Sequence, residues 1–164
     1  MPSTSASRLI MAPREQIWSL LSDVASAGRW NSAWSNIEFV SKQTHGPETQ
    51  FRARTGEGET FEFVITAWVV PEYIEFTPVR ADGERYGITL ESQAFRLHPE
   101  GEGATRVDLM ARASTHGIKA WLLGLLFWRG YQKQGLNAAL EKLESAFASE
   151  ETDDAHEDAT RATD

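Results

Sequence analysis

The spacing of apolar residues changes twice along this chain. Ile17, Trp18, Leu20 and Leu21 fall at helical intervals behind Ala12-Pro13, and proline at a first helical position gives up no hydrogen bond. This predicts a short helix over 13–21, preceded by a strand from Ser7 to Met11 and followed by a helical turn from Asp23 to Ala27 that stops at Gly28. The period then drops to two. Ile37 and Phe39, Phe51 and Ala53, and Phe61, Phe63, Ile65 and Ala67 alternate with polar residues, as half-buried antiparallel strands do. His45-Gly46-Pro47, Gly56-Glu57-Gly58, Pro71-Glu72 and Asp82-Gly83 supply the turns. In the strand that begins with Tyr86, Ile88 and Leu90, apolar parity shifts by one before Phe95 and Leu97, which predicts a bulge. Val107, Leu109, Ala111 and Ala113 form the last strand, and Gly117 opens a long helix over 119–147.

That helix has two chemistries. Leu136, Leu140, Leu143 and Phe147 make one apolar stripe, with Glu141, Lys142 and Glu144 facing away. In the first half, Trp121, Leu122, Leu123, Leu125, Leu126, Phe127 and Trp128 go most of the way round. At about 1.5 Å per residue the apolar run 120–128 spans roughly 14 Å, too short for a bilayer core of ~30 Å. Extending the stripe backwards brings in Leu122 and Leu125, places Arg129 near its middle, and puts Lys133 beside it, so both cations are expected to point at the sheet.

Composition removes several chemistries. The chain has 164 residues and no cysteine, which excludes disulfides, thiolate catalysis and zinc-thiolate or iron-sulfur sites. Of its net charge of -8, six units sit in the last sixteen residues, where seven carboxylates are opposed only by Arg161. The expected organisation is a flexible N-terminus over 1–6, one domain over 7–148 and an acidic disordered tail over 149–164. No Lys/Arg cluster interleaved with aromatics suggests a nucleic-acid partner, and no leader-like segment is legible, so a cytoplasmic protein is expected.

Ala12 to Val24, Trp30-Asn31, Trp68 to Phe76 and Gly103 to Val107, taken with the element order, resemble the SRPBCC superfamily, in its polyketide cyclase/dehydrase and lipid-transport branch related to START domains and pollen-allergen-type proteins. The resemblance runs from about Ser7 to Phe147. It implies an α+β helix-grip fold: a curved antiparallel sheet of six or seven strands wrapped around a long C-terminal helix, with an apolar cavity between them. Relatives commonly carry a glycine-rich turn between the second and third strands; here that turn, His45 to Thr49, has one glycine.

The resemblance directs attention to an apolar or amphipathic ligand such as a lipid or polyketide, with no cofactor and no metal. Trp30, Trp34 and Trp121 are the proposed gate residues; Phe51, Phe63, Ile65, Ile88, Leu122 and Leu125 the proposed walls; Arg129 the polar contact. Leu123, Phe127 and Tyr131, on the opposite helix face, would be covered by a homodimer partner or a peripheral membrane surface. An enzyme alternative, a cyclase or dehydratase, needs a buried acid or base, for which Glu72 and Glu91 are the candidates. His45, His98 and His116 fall at turns or element ends and lack the helical spacing of a metal pair.

Overall fold

A computed structural model of the chain describes residues 3–55, 58–79, 88–115, 117 and 129–161, excepting the side chains of 88, 129, 131, 132 and 149–161. Among them are seven strands: β1 (Ser3–Ile10), β2 (Ser35–Phe39), β3 (Gln50–Arg54), β4 (Thr60–Val69), β5 (Tyr73–Pro78), β6 (Ile88–Pro99) and β7 (Thr105–Thr115). Helix α1 (Arg14–Ser22) and a 3-10 segment (Val24–Arg29) connect β1 to β2, and α2 (Arg129–Arg161) ends the chain. The strands form one antiparallel sheet in the order β1-β7-β6-β5-β4-β3-β2. Neighbouring strands are thus joined by hairpins except at β1, whose connection through the helices places β2 at the far edge. This is the helix-grip arrangement expected.

Period-two patterning sets the two faces. On β5, Ile74 and Phe76 are buried while Tyr73 and Glu75 are partly exposed; on β6, Phe95 and Leu97 are buried and Arg96 is exposed. The anticipated bulge lies between Leu90 and Ser92, where the β6–β7 register shifts. Its extra residue turns Phe95 and Leu97 to the inner face after the earlier parity.

β1 begins earlier than the apolar pattern indicates, because Ser3 already pairs with Arg112 and the ladder runs unbroken to Ile10 and Thr105. Ladder hydrogen bonds come from the backbone, so small residues such as Ser3 and Ser5 extend a strand without an apolar signal. The backbone of α2 likewise continues through the acidic segment as far as Arg161.

Leu136, Leu140 and Leu143 are buried, as their stripe requires, and Phe147 packs at the margin of the same core. The helix lies chiefly on β1. Arg8 on β1 reaches Glu144, with Glu141 at 3.5 Å, so these two glutamates turn toward β1 rather than away. Lys133, expected to point at the sheet, is exposed; an unpaired ammonium loses hydration on burial, and a long side chain escapes to water.

Candidate functional site at the concave face

The inner face of the sheet is aromatic. Register aligns Phe39 with Phe51 and Phe51 with Phe63, a row of rings across β2, β3 and β4. The 3-10 segment ends at Trp30, and Asn31 Oδ1 accepts the Ala33 N–H at 3.0 Å, ordering the turn that carries the chain to Trp34. Trp34 then meets Phe63 at 4.7 Å, Phe76 at 5.4 Å and Phe51 at 5.5 Å between centroids. Trp30 packs edge-on against Phe95 at 5.3 Å and Trp34 at 5.5 Å. Six rings therefore make one cluster of mostly edge-to-face pairs, the favoured aromatic geometry.

The sequence-predicted residues fall into two groups. Trp30, Trp34, Phe51, Phe63 and Ile65 come together on this face and are all buried. Trp30 and Trp34, read as gate residues, sit inside the cluster rather than at a mouth, because the 3-10 turn folds them onto the sheet. Trp121, Leu122, Leu123, Leu125 and Phe127 lie outside the described residues, as do the side chains of Ile88, Arg129 and Tyr131. Phe95 joins the cluster without being among the sequence-predicted site residues; the parity shift ahead of it is the available signal.

Ile37, Phe39, Phe61 and Leu90 are only partly buried against the core. At the other end of the sheet α1 closes the interior, with Trp18 stacked edge-on to Trp68 at 5.2 Å. Among the described residues the concave face is thus filled at the α1 end and in the middle, and its side chains are only partly buried toward Phe61 and Leu90.

Its polar inventory is small. The buried polar residues described are Thr4, Ser22, Asn31, Thr49, Ser92 and Thr105, none of them ionisable. Thr105 Oγ1 donates to the Ala12 carbonyl at 2.9 Å. Trp30 Nε1–H is a different case: its atom is wholly buried and has no acceptor among the described residues. Glu72 is well exposed and lies 3.6 Å from Arg14, which removes it from the interior. His98 sits on the outer face beside Asp108, at 3.1 Å. Among the described residues no group of side chains has the makings of a metal site.

This architecture agrees with the family comparison. Residues 1–148 match the model of the polyketide cyclase / dehydrase and lipid transport family. The chain belongs to that family. It is an SRPBCC-type domain, and solved structures carry the same fold. A Nitrosospira multiformis protein is 17% identical with a TM-score of 0.70, covering 92% of this chain and 99% of its own. A Thermus thermophilus protein is 22% identical with a TM-score of 0.68, over 90% and 98%. The Aha1 dimer from Colwellia psychrerythraea is 14% identical with a TM-score of 0.63, over 89% and 96%. No curated protein matches significantly. Among the described residues, no helix of this SRPBCC domain is long and apolar enough to cross a membrane.

Proposed function

We propose that this protein binds an apolar or amphipathic small molecule on its concave face, beside the partly buried Phe61 and Leu90, with the aromatic cluster as floor. The observation that carries this reading is the unpaired, wholly buried Trp30 Nε1–H on a face built from hydrocarbon. A buried donor without a partner costs about 1–3 kcal/mol. The ring faces around it are weaker acceptors than oxygen. A carbonyl, ether or ester oxygen inserted between the rings would relieve that cost, so the preferred ligand is apolar with an oxygen acceptor at one end that reaches into the cluster.

Binding is favoured over turnover because a cyclase or dehydratase needs an acid or base against the substrate. Among the described residues the buried polar groups are hydroxyls, one amide, the indole N–H and the Nε of Arg14, a cation that cannot serve as a base. The test has two stages. Native mass spectrometry of gently purified full chain, set against its denatured mass and an organic extract, is expected to reveal an adduct of lipid or polyketide size. Fluorenone and fluorene, matched in shape and differing by one carbonyl, are then titrated into wild type and Trp30→Phe. The ketone should bind up to about tenfold more tightly to wild type, as one net hydrogen bond allows, and Trp30→Phe should abolish the difference. Absence of an adduct together with no binding of either compound overturns the reading.

A further inference from the structure

The outer face of the same sheet holds a second concavity. Arg14 in the first turn of α1, Val69, Glu72 and Tyr73 around the β4–β5 turn, and Arg96 to Pro99 at the end of β6 enclose a groove of about 390 Å³. That volume lies at the small end of the range for small-molecule sites. Arg96 and His98 point outward from β6 and Phe95 buries inward, while Leu97, also buried, contributes to the groove's lining.

Two arginines line this groove, and both keep hydrogen-bonding capacity to spare. Arg14 is mostly buried, its side chain 24% exposed. Its Nε is wholly buried and has no hydrogen-bond partner among the described residues. The nearest carboxylates are Glu72 Oε1, 3.6 Å from Nη1, and Glu15 Oε1, 3.8 Å from Nε. Both are ion pairs longer than a hydrogen bond and made to well-exposed side chains, so they hold the cation weakly and leave its Nε–H without an acceptor. Arg96 stacks over the Tyr73 ring at 5.0 Å, and no carboxylate lies within ion-pair distance of it among the described residues. Stacking holds a guanidinium by its face and leaves its N–H edge free. The positive end of α1 adds to the field at Arg14. His98, which also lines the groove, is held by Asp108.

We propose that this groove binds a small organic oxyanion, a carboxylate or phosphate ester, with its charged group between Arg14 and Arg96 and a compact apolar body against Val69, the Tyr73 ring and Pro99. Guanidinium forks match either oxyanion bidentately, and the apolar wall selects against an inorganic ion. The proposal stands independently of the ligand at the concave face.

The experiment titrates isotopically labelled full chain with benzoate, phenyl phosphate, inorganic phosphate and benzyl alcohol, reading the arginine Nε–H and the amide signals of Tyr73 and His98 by NMR. Benzoate and phenyl phosphate are expected to shift these signals saturably, and whichever binds more tightly identifies the oxyanion. Inorganic phosphate should bind more weakly than phenyl phosphate, and benzyl alcohol should leave the signals in place. Arg14→Gln and Arg96→Gln should each weaken binding about tenfold or more, as loss of a charge-assisted hydrogen bond implies; Arg52→Gln, on β3, should not. No saturable shift with either organic anion, an equal response to benzyl alcohol, or unchanged affinity in both groove variants overturns the proposal. The indole signals report that each variant keeps its core.

Discussion

Trp34→Ala separates a core-forming tryptophan from a gating one. Trp34 is 6% exposed and touches four rings, Trp30, Phe51, Phe63 and Phe76, at centroid distances from 4.7 to 5.5 Å. Truncating a buried tryptophan to alanine costs about 3–5 kcal/mol, from lost transfer energy and the cavity left behind. The upper half of that range is expected, because each aromatic pair adds roughly 0.5–1.5 kcal/mol beyond area and the rigid sheet carrying Phe51, Phe63 and Phe76 limits collapse into the space. For a chain of this size, about 3–5 kcal/mol lowers Tm by roughly 6–20 °C. Urea unfolding followed by circular dichroism gives the free energy directly, and Trp34→Phe, which keeps a ring against the same neighbours, should lose less. A mobile gate would behave as a surface position, with a change within about 0.5 kcal/mol. A loss below about 1 kcal/mol for Trp34→Ala would refute the packing argument.

Other perturbations probe the elements that hold the site. Leu140→Ala, at a position with no exposure, should cost about 2–5 kcal/mol in urea unfolding; a smaller loss would mean that α2 is not seated on the sheet as described. Thr105→Val leaves the Ala12 carbonyl without its buried donor and should cost about 1–3 kcal/mol. Arg8→Gln breaks the contacts to Glu141 and Glu144, but the Arg8 and Glu144 side chains are 36% and 39% exposed, so the loss should stay below about 1 kcal/mol and shrink as salt is added. Burial first, then the charge of Glu75 and the hydrogen bond it accepts from the phenol, raises the Tyr73 pKa above 10.0. The folded state then holds this proton more tightly than the unfolded chain, so the contribution to stability is intact below 10.0 and falls as pH rises through the folded value. Glu75→Gln should lower the phenolate midpoint, read by ultraviolet titration against Tyr73→Phe.

The sheet was legible because alternation is a local signal and each strand carries it. Even the β6 bulge was written as a parity shift ahead of Phe95. The start of β1 was not, since Ser3 and Ser5 pair through backbone groups and bring no hydrophobic signal. The site was legible only in part. Sequence shows that Phe51, Phe63 and Trp34 prefer burial; it does not show that Phe39, Phe51 and Phe63 share a row, which depends on strand register, or that a 3-10 turn lays Trp30 and Trp34 over it. The outer groove left no mark at all, because Arg14, Tyr73 and Arg96 are far apart in the chain and each has an ordinary surface reading alone.

The same strands carry both proposed sites, and their pleat keeps the chemistries apart. Tyr73 and Ile74, like Phe95 and Arg96, are sequence neighbours that face opposite sides, and Tyr73 pairs with Arg96 as Ile74 pairs with Phe95. Register therefore assembles a cation-π pair outside and an apolar pair inside in consecutive steps of one ladder. A slip of one residue would put Arg96 among the rings and Phe95 in water, so the burial that holds the aromatic floor also fixes the guanidinium of the groove. For this reason Arg96→Gln, which leaves the register to Phe95 and Ile74, should silence the outer groove while fluorenone still binds within, whereas Phe95→Ala should weaken both.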